Sequence, residues 1–137
     1  MAAIRSGNTK PELIVRKAIH AAGLRFRLHI RDLPGKPDLV LARHRAIIFV
    51  NGCFWHHHDC HLFKWPATRA EFWQAKISRN VANDARAISQ LRKDGWRVGV
   101  IWECALKGLT RLDAAEAMQE VADWIKSSKE TLSIRGE

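Results

Sequence analysis

Seven side chains able to bind a metal or carry a proton fall within nine residues of this 137-residue chain: Cys53, His56, His57, His58, Asp59, Cys60 and His61. Thiolate sulfur with imidazole nitrogen is the donor chemistry of tetrahedral zinc. Cys53 and Cys60 can supply two ligands and one histidine a third. The remaining cysteine, Cys104, follows a later apolar run, and a strand ending there can return beside the earlier loop. A closed Cys3His site would be structural, holding a loop that lacks regular structure of its own. The alternative is a set of buried or reactive thiols beside solvated histidines. Three cysteines cannot pair fully, which argues against a disulfide scaffold.

Carboxylates stand where they are costly. Asp38 follows Pro37 at the head of an apolar run, where a charge is expensive unless paired or metal-bound. A turn-ending aspartate is the simpler reading. Asp84 falls between Val81 and Ile88 and interrupts the apolar stripe of a long helical segment. Glu12 shares a face with Val15 and Ile19, although a capping role would account for it. Three acids at one sheet end would make a divalent-metal or acid–base site. Phe54 and Trp55 sit inside the Cys/His loop, Trp65 at its exit and Trp73 beyond it, flanked by Lys64, Arg69 and Lys76. Large aromatics among cations suit base stacking or wedging into a duplex. The alternative is that they cover the loop as a small core; for Trp73 a core role is at least as natural, whereas for Phe54 and Trp55 DNA contact is the expected role.

The elements that must position these groups follow from local pattern. Thr9-Lys10-Pro11-Glu12 is a capping box with proline in the first turn, so a helix is expected to about Ala22, stopped by Gly23. Residues 24–30 alternate apolar and basic, the pattern of a half-exposed strand. Leu33-Pro34-Gly35 is a turn. Pro37–Ala42 and Ala46–Val50 read as a buried hairpin. Residues 51–67 break every periodicity. Thr68–Glu71 is a second capping box, opening a long helix that ends near Asp94-Gly95 with Trp73, Ile77, Val81, Ile88 and Leu91 on one face. Trp96–Trp102 is a third buried strand. Thr110–Asp113 caps a last helix to about Lys126, residues 128–137 read as a polar tail, and residues 1–8 as a mobile arm. The order α-β-β-β-α-β-α indicates an α/β sandwich around a mixed sheet, a single domain over 1–137.

Charge narrows the partner. Lys and Arg number 23 against 14 Asp and Glu, a net charge of +9. Residues 1–50 carry ten basic and three acidic side chains and residues 51–100 eight and four, whereas residues 101–137 carry five and seven. A basic excess confined to the first hundred residues suits a polyanion, with nucleic acid the usual case. With 47% hydrophobic residues, wholesale disorder is excluded. No signal-peptide pattern and no membrane-length apolar run is present, so the cytoplasm is the expected compartment.

Longer strings carry a resemblance. Leu33-Pro34-Gly35-Lys36-Pro37-Asp38, Ile48-Phe49-Val50-Asn51-Gly52-Cys53-Phe54-Trp55-His56 and Trp102-Glu103-Cys104 resemble the very-short-patch repair (Vsr) endonucleases. Phe63-Lys64, Pro66-Ala67-Thr68-Arg69 and Glu71-Phe72-Trp73 add to it, and the similarity runs from about Met1 to Leu106. The resemblance implies a variant of the PD-(D/E)xK nuclease fold, a three-layer sandwich with a central mixed sheet and a structural zinc loop. It implies an enzyme that nicks one DNA strand on the 5′ side of the thymine in a T:G mismatch. By the match, Asp38 and the Val50 carbonyl would hold catalytic magnesium and His56 would be the general base. Glu12 and Asp84 fall on supporting acidic positions. Cys53, His58, Cys60 and Cys104 fall on zinc ligands, and Phe54, Trp55 and Trp73 on residues that intercalate beside the mismatch. Met1, Lys36, Lys64, Arg69 and Lys76 complete the expected DNA contacts. Asn51 stands where some members have a histidine thought to aid catalysis; an amide can hydrogen-bond phosphate or water but is no acid at neutral pH. Val50 replaces a threonine of some members, which matters little if only the carbonyl is used. Met1 aligns with a methionine inside the family's Arg-Ser-x-Asn-Met segment, so an N-terminal arm is expected to be missing. A monomer acting on duplex DNA at the nucleoid is expected, with mismatch-repair proteins as further partners. The rivals are a non-catalytic zinc-containing DNA-binding module, a His-rich ββα-metal nuclease whose zinc is itself catalytic, and a nuclease of the same fold serving restriction or another lesion.

Overall fold

The computed structural model describes residues 9–137; Met1 and the arm 1–8 lie outside the described residues. In chain order it forms α1 (Lys10–Ala21), β1 (Arg27–Leu28), β2 (Leu39–Leu41), β3 (Ala46–Asn51), α2 (Ala70–Lys93), β4 (Arg97–Trp102), α3 (Ala114–Lys126) and β5 (Thr131–Ile134). The five strands make one sheet in the order β1-β2-β3-β4-β5. β1, β2 and β3 pair antiparallel, while β3, β4 and β5 run parallel, so the sheet is mixed. Parallel neighbours need crossovers, and α2 and α3 provide them.

Alternation along the strands sorts the core into two layers. Leu39, Leu41, Ala46, Ile48 and Ile101 face α1 and α3, packing with Val15, Ile19, Val121 and Ile125. Val40, Ile47, Phe49 and Val98 face the other way, against Leu91 of α2. Each such aliphatic side chain removed from water contributes about 1.5–3 kcal/mol. Arg97 ties the β2–β3 turn to the end of α3: its guanidinium donates to the carbonyls of His44, Trp124, Ile125 and Lys129 at 2.7–3.2 Å. Those include carbonyls of the last turn of α3, where cations are favoured.

Three expectations need correction. The strand expected over 24–30 shrinks to Arg27–Leu28, because β2 offers it only two partners and His29 turns out of the strand at φ 48°. The second capping box does not form: α2 begins after Arg69, which adopts a left-handed φ of 56° with no side-chain cap bond. Its guanidinium lies 4.2 Å over the Phe72 ring instead. Finally, the polar stretch 128–137 is no mere tail. Thr131–Ile134 adds a strand to the free edge of β4, with Leu132 and Ile134 turned into the core. Two apolar residues in four are too weak a signal to announce a strand.

The turn that leads into Asp38 is tightly built. Gly35 has φ +74°, and a Cβ there would sit 2.8 Å from the Ala87 Cβ and 3.1 Å from the Phe49 ring. Gly35→Ala should therefore destabilise the protein by about 2–4 kcal/mol, combining left-handed strain with overpacking. Gly23→Ala, at φ +80° but with nothing within 4 Å, is the control. It should cost only about 1 kcal/mol. Urea midpoints at unchanged m-value check the pair; equal losses would mean that crowding at Gly35 is relieved by movement.

Candidate active site and metal centre

Parallel pairing of β3 with β4 sets Asn51 beside Trp102, so the chain leaves both strands at the same end of the sheet. Two residues further on each strand stand Cys53 and Cys104, both buried. The Cys104 amide donates to the Cys53 sulfur at 3.4 Å. His58 Nδ1 lies 3.5 Å from the sulfur of Cys53 and 3.5 Å from that of Cys104. With Cys60 these residues place four ligand atoms within 4.8 Å of one another. All three cysteines are free thiols. The His58 ring stacks on Trp102 at 4.0 Å, nearly parallel to it.

The donor chemistry of this cluster suits a metal ion. Burial pushes the Cys53 thiol far up, and the neighbouring thiols add to it. A buried thiolate needs a cation, which a bound ion would supply. Burial and Arg135 push His58 down, keeping the neutral imidazole that ligates. The far end of the chain closes over the cluster. The Gly136 amide donates to the Cys104 sulfur at 3.4 Å, and Arg135 bridges to Asp59 at 2.7 Å.

A second group forms where β2 meets β3. Asp38 Oδ2 accepts from the Val50 amide at 2.6 Å. In a strand a residue's own N–H and C=O point to the same edge, so the Val50 carbonyl also faces the Asp38 side. Glu12, 2% exposed, reaches the same place from α1. Its two oxygens each lie 3.0 Å from His29 Nε2, and Arg16 stands 3.7 Å away. Glu12, His29 and Asp38 bring their ligand atoms within 4.8 Å of one another. Burial raises the Asp38 carboxyl to about 7, against the Val50 hydrogen bond that stabilises its charge. A carboxylate so placed is costly without a cation.

The third group joins the loop to α2. His56 Nδ1 is hydrogen-bonded to Asp84 Oδ2. The acid that interrupts the stripe of α2 thus points at the loop histidine, as a helical face requires. Asn51 is buried at the end of β3, and Asn80 of α2 donates to the Trp55 carbonyl at 3.1 Å.

Over this end lies an aromatic cluster. Phe54, Trp55 and Trp73 touch pairwise, with centroids 4.9–5.6 Å apart. Trp73 therefore packs on the loop rather than in either core layer. Phe63 stacks on Phe54 at 5.8 Å, and Trp65 and Phe72 remain 45% and 43% exposed. Lys76 stands 5.9 Å from the Trp55 ring, while Lys36, Lys64 and Arg69 are exposed. Sequence reasoning missed three contributors: His29, Asn80 and Glu103, whose carboxylate accepts from the Cys53 amide at 3.2 Å. Their partners lie 17, 25 and 50 residues away, beyond any local pattern.

Known proteins resemble this chain closely. A family model described as DNA mismatch endonuclease Vsr matches residues 1–62. The chain is 46% identical over 125 residues to DNA mismatch endonuclease Vsr of Escherichia coli (strain K12), covering 91% of this chain and 80% of that protein. It is 47% identical over 114 residues to the type II nicking enzyme V.XorIIP of Xanthomonas oryzae pv. oryzae, covering 83% of this chain and 84% of the relative. A third relative, the type II nicking enzyme V.NmeDIP of Neisseria meningitidis serogroup C, is 36% identical over 125 residues.

Proposed function

The chain belongs to the DNA mismatch endonuclease Vsr family, and from that premise we propose that it nicks one strand of duplex DNA on the 5′ side of the thymine in a T:G mismatch, with magnesium at Asp38. The observation that carries this reading is Asp38 itself: a half-buried carboxylate, raised to about 7, beside the buried Glu12 and the Val50 edge of the central strand. We read the helix-covered mixed sheet as a PD-(D/E)xK variant and the whole chain as one nuclease domain.

Magnesium, when bound, would neutralise phosphate charge and make a bound water more acidic. Asp38 and the Val50 carbonyl would hold it, with Glu12 in support. His56 accepts the proton of the attacking water at Nε2, because Asp84 occupies Nδ1 and fixes the tautomer. Asn51 can hydrogen-bond a phosphate oxygen or a water but moves no proton. Cys53, His58, Cys60 and Cys104 would hold structural zinc, which positions the loop bearing His56. Phe54, Trp55 and Trp73 enter the duplex beside the mismatch, and Lys36, Lys64, Arg69 and Lys76 neutralise phosphates. Met1 is a further DNA contact on the resemblance alone. The protein acts as a cytoplasmic monomer at the nucleoid, with mismatch-repair proteins as partners; no helix among the described residues is long and apolar enough to cross a membrane.

A nicking assay on T:G, U:G and fully paired duplexes, with and without magnesium, tests the reading. Magnesium-dependent nicking confined to mismatched duplexes is expected. Equal cleavage of paired DNA would overturn mismatch selection, and binding without cleavage would overturn the nuclease. Asp84→Asn should lower kcat about 10²–10⁴-fold, because an amide that donates to Nδ1 selects the wrong tautomer. DNA affinity should be unchanged. An unaltered kcat would remove Asp84 from the proton path.

A further inference from the structure

We infer that His29 is a direct nitrogen ligand of the divalent ion at Asp38 and Glu12, making that site bind manganese more tightly than magnesium. The inference rests on the nuclease reading of this site and adds a donor to it. Three observations support it.

The first is placement. The β1–β2 register pairs Leu28 with Leu39, so His29 and Asp38 are the next opposed pair. Their main chains meet there, the His29 amide donating to the Asp38 carbonyl at 3.1 Å. The second is spacing. An octahedral ion with bonds of about 2.1 Å sets adjacent ligand atoms about 3 Å apart. His29 Nε2 lies 3.0 Å from each Glu12 oxygen, and all three residues offer ligand atoms within 4.8 Å. The third is backbone form. His29 takes φ 48°, a left-handed conformation unfavourable for a non-glycine residue, and that turn ends β1 and carries its ring to Glu12 rather than along the edge.

In the metal-free site His29 Nε2 and the Glu12 oxygens lie at hydrogen-bond distance. An ion held through Nε2 would require the ring's remaining proton to sit on Nδ1. Magnesium favours oxygen and gains little from imidazole, whereas manganese accepts both carboxylate and imidazole. A nitrogen donor thus separates the two ions.

The test uses the full chain with its zinc, at pH 8, loaded with manganese alone. Pulsed electron paramagnetic resonance should show nitrogen hyperfine modulation on the bound ion. His29→Asn tolerates the left-handed turn and removes the ring, and His29→Gln keeps a hydrogen bond to Glu12. Both should lose the modulation at unchanged zinc content and circular dichroism. Manganese affinity should fall about tenfold or more, and magnesium affinity much less. Modulation absent from the wild type, or retained in both variants, overturns the inference. So does an equal loss for both ions, since His29 would then act only by holding Glu12. If the modulation is found but no duplex is nicked, the failure lies with the nuclease reading and not with the ligand.

Discussion

Asp38→Asn is expected to abolish nicking and, at the same time, to raise the melting temperature of the metal-free protein above neutral pH. Loss of the metal's charge stabilisation should cost at least about a thousandfold in rate, several kcal/mol of barrier. The stability gain follows from linkage. Asp38 ionises near 3.8 when unfolded and is held at about 7 when folded. Between those values the folded chain keeps a proton that the unfolded chain has released, so wild-type stability falls as pH rises through that window. Above pH 7 the full penalty, on the order of 4 kcal/mol, is present. Asparagine keeps an oxygen for the Val50 amide and never ionises. The melting difference between variant and wild type should therefore be small near pH 4, widen to about pH 7 and then stay level. Magnesium should shrink it by stabilising only the wild type. A difference independent of pH would show that burial of Asp38 is not what the folded state opposes. DNA affinity should survive, since the substitution alters neither the aromatic cluster nor any of the exposed cations.

Cys104→Ser should act in the opposite sense, losing nicking, DNA binding and stability together. The substitution breaks a cluster whose members all lie within 4.8 Å and leaves the raised Cys53 thiol without the cation it needs. Structural zinc supplies a large share of folding free energy in small domains, so a loss on the order of 5 kcal/mol or more is expected. The loop that carries His56, Phe54 and Trp55 should loosen, although neither Asp38 nor Asp84 is altered. Metal analysis beside thermal melting and gel-shift checks this. A variant that keeps a full equivalent of zinc and binds mismatched DNA normally would remove Cys104 from the site. Together the two variants separate chemistry from scaffolding: one is stable and inert, the other unstable and unable to bind.

How far the site was legible depended on the range of each signal. Asp84 stood out because a charge in an apolar helical stripe is costly, and it indeed turns to His56 rather than to the core. Cys104 was legible through the odd cysteine count, and parallel pairing of β3 and β4 brings it to Cys53. Glu12 was half legible. Its amide does donate to the Thr9 hydroxyl at 3.4 Å, but its carboxylate serves His29 instead of closing the capping box. His29 carried no signal at all, because its meaning lies in a partner 17 residues away on another element. The hairpin, the long helix and the last helix followed from periodicity, whereas β5 depends on the β4 edge that accepts it and on only two inward side chains. A DNA role for Phe54 and Trp55 was legible from their place in the loop among cations, whereas that of Trp73 came from family resemblance, since its place on the apolar stripe fits a core as well as a DNA wedge.

The division of the four cluster residues along the chain bears on the order of folding. Cys53, His58 and Cys60 lie within one short loop, while Cys104 lies 51 residues beyond Cys53. An unfolded chain can therefore grip an ion with three local donors before any sheet exists, and only the fourth waits for a distant strand. Ion capture should be quick and refolding slow, because the late event is the non-local docking of β4 beside β3. Ion already held by the unfolded chain also contributes less to equilibrium stability than the same ion would by binding the native state alone.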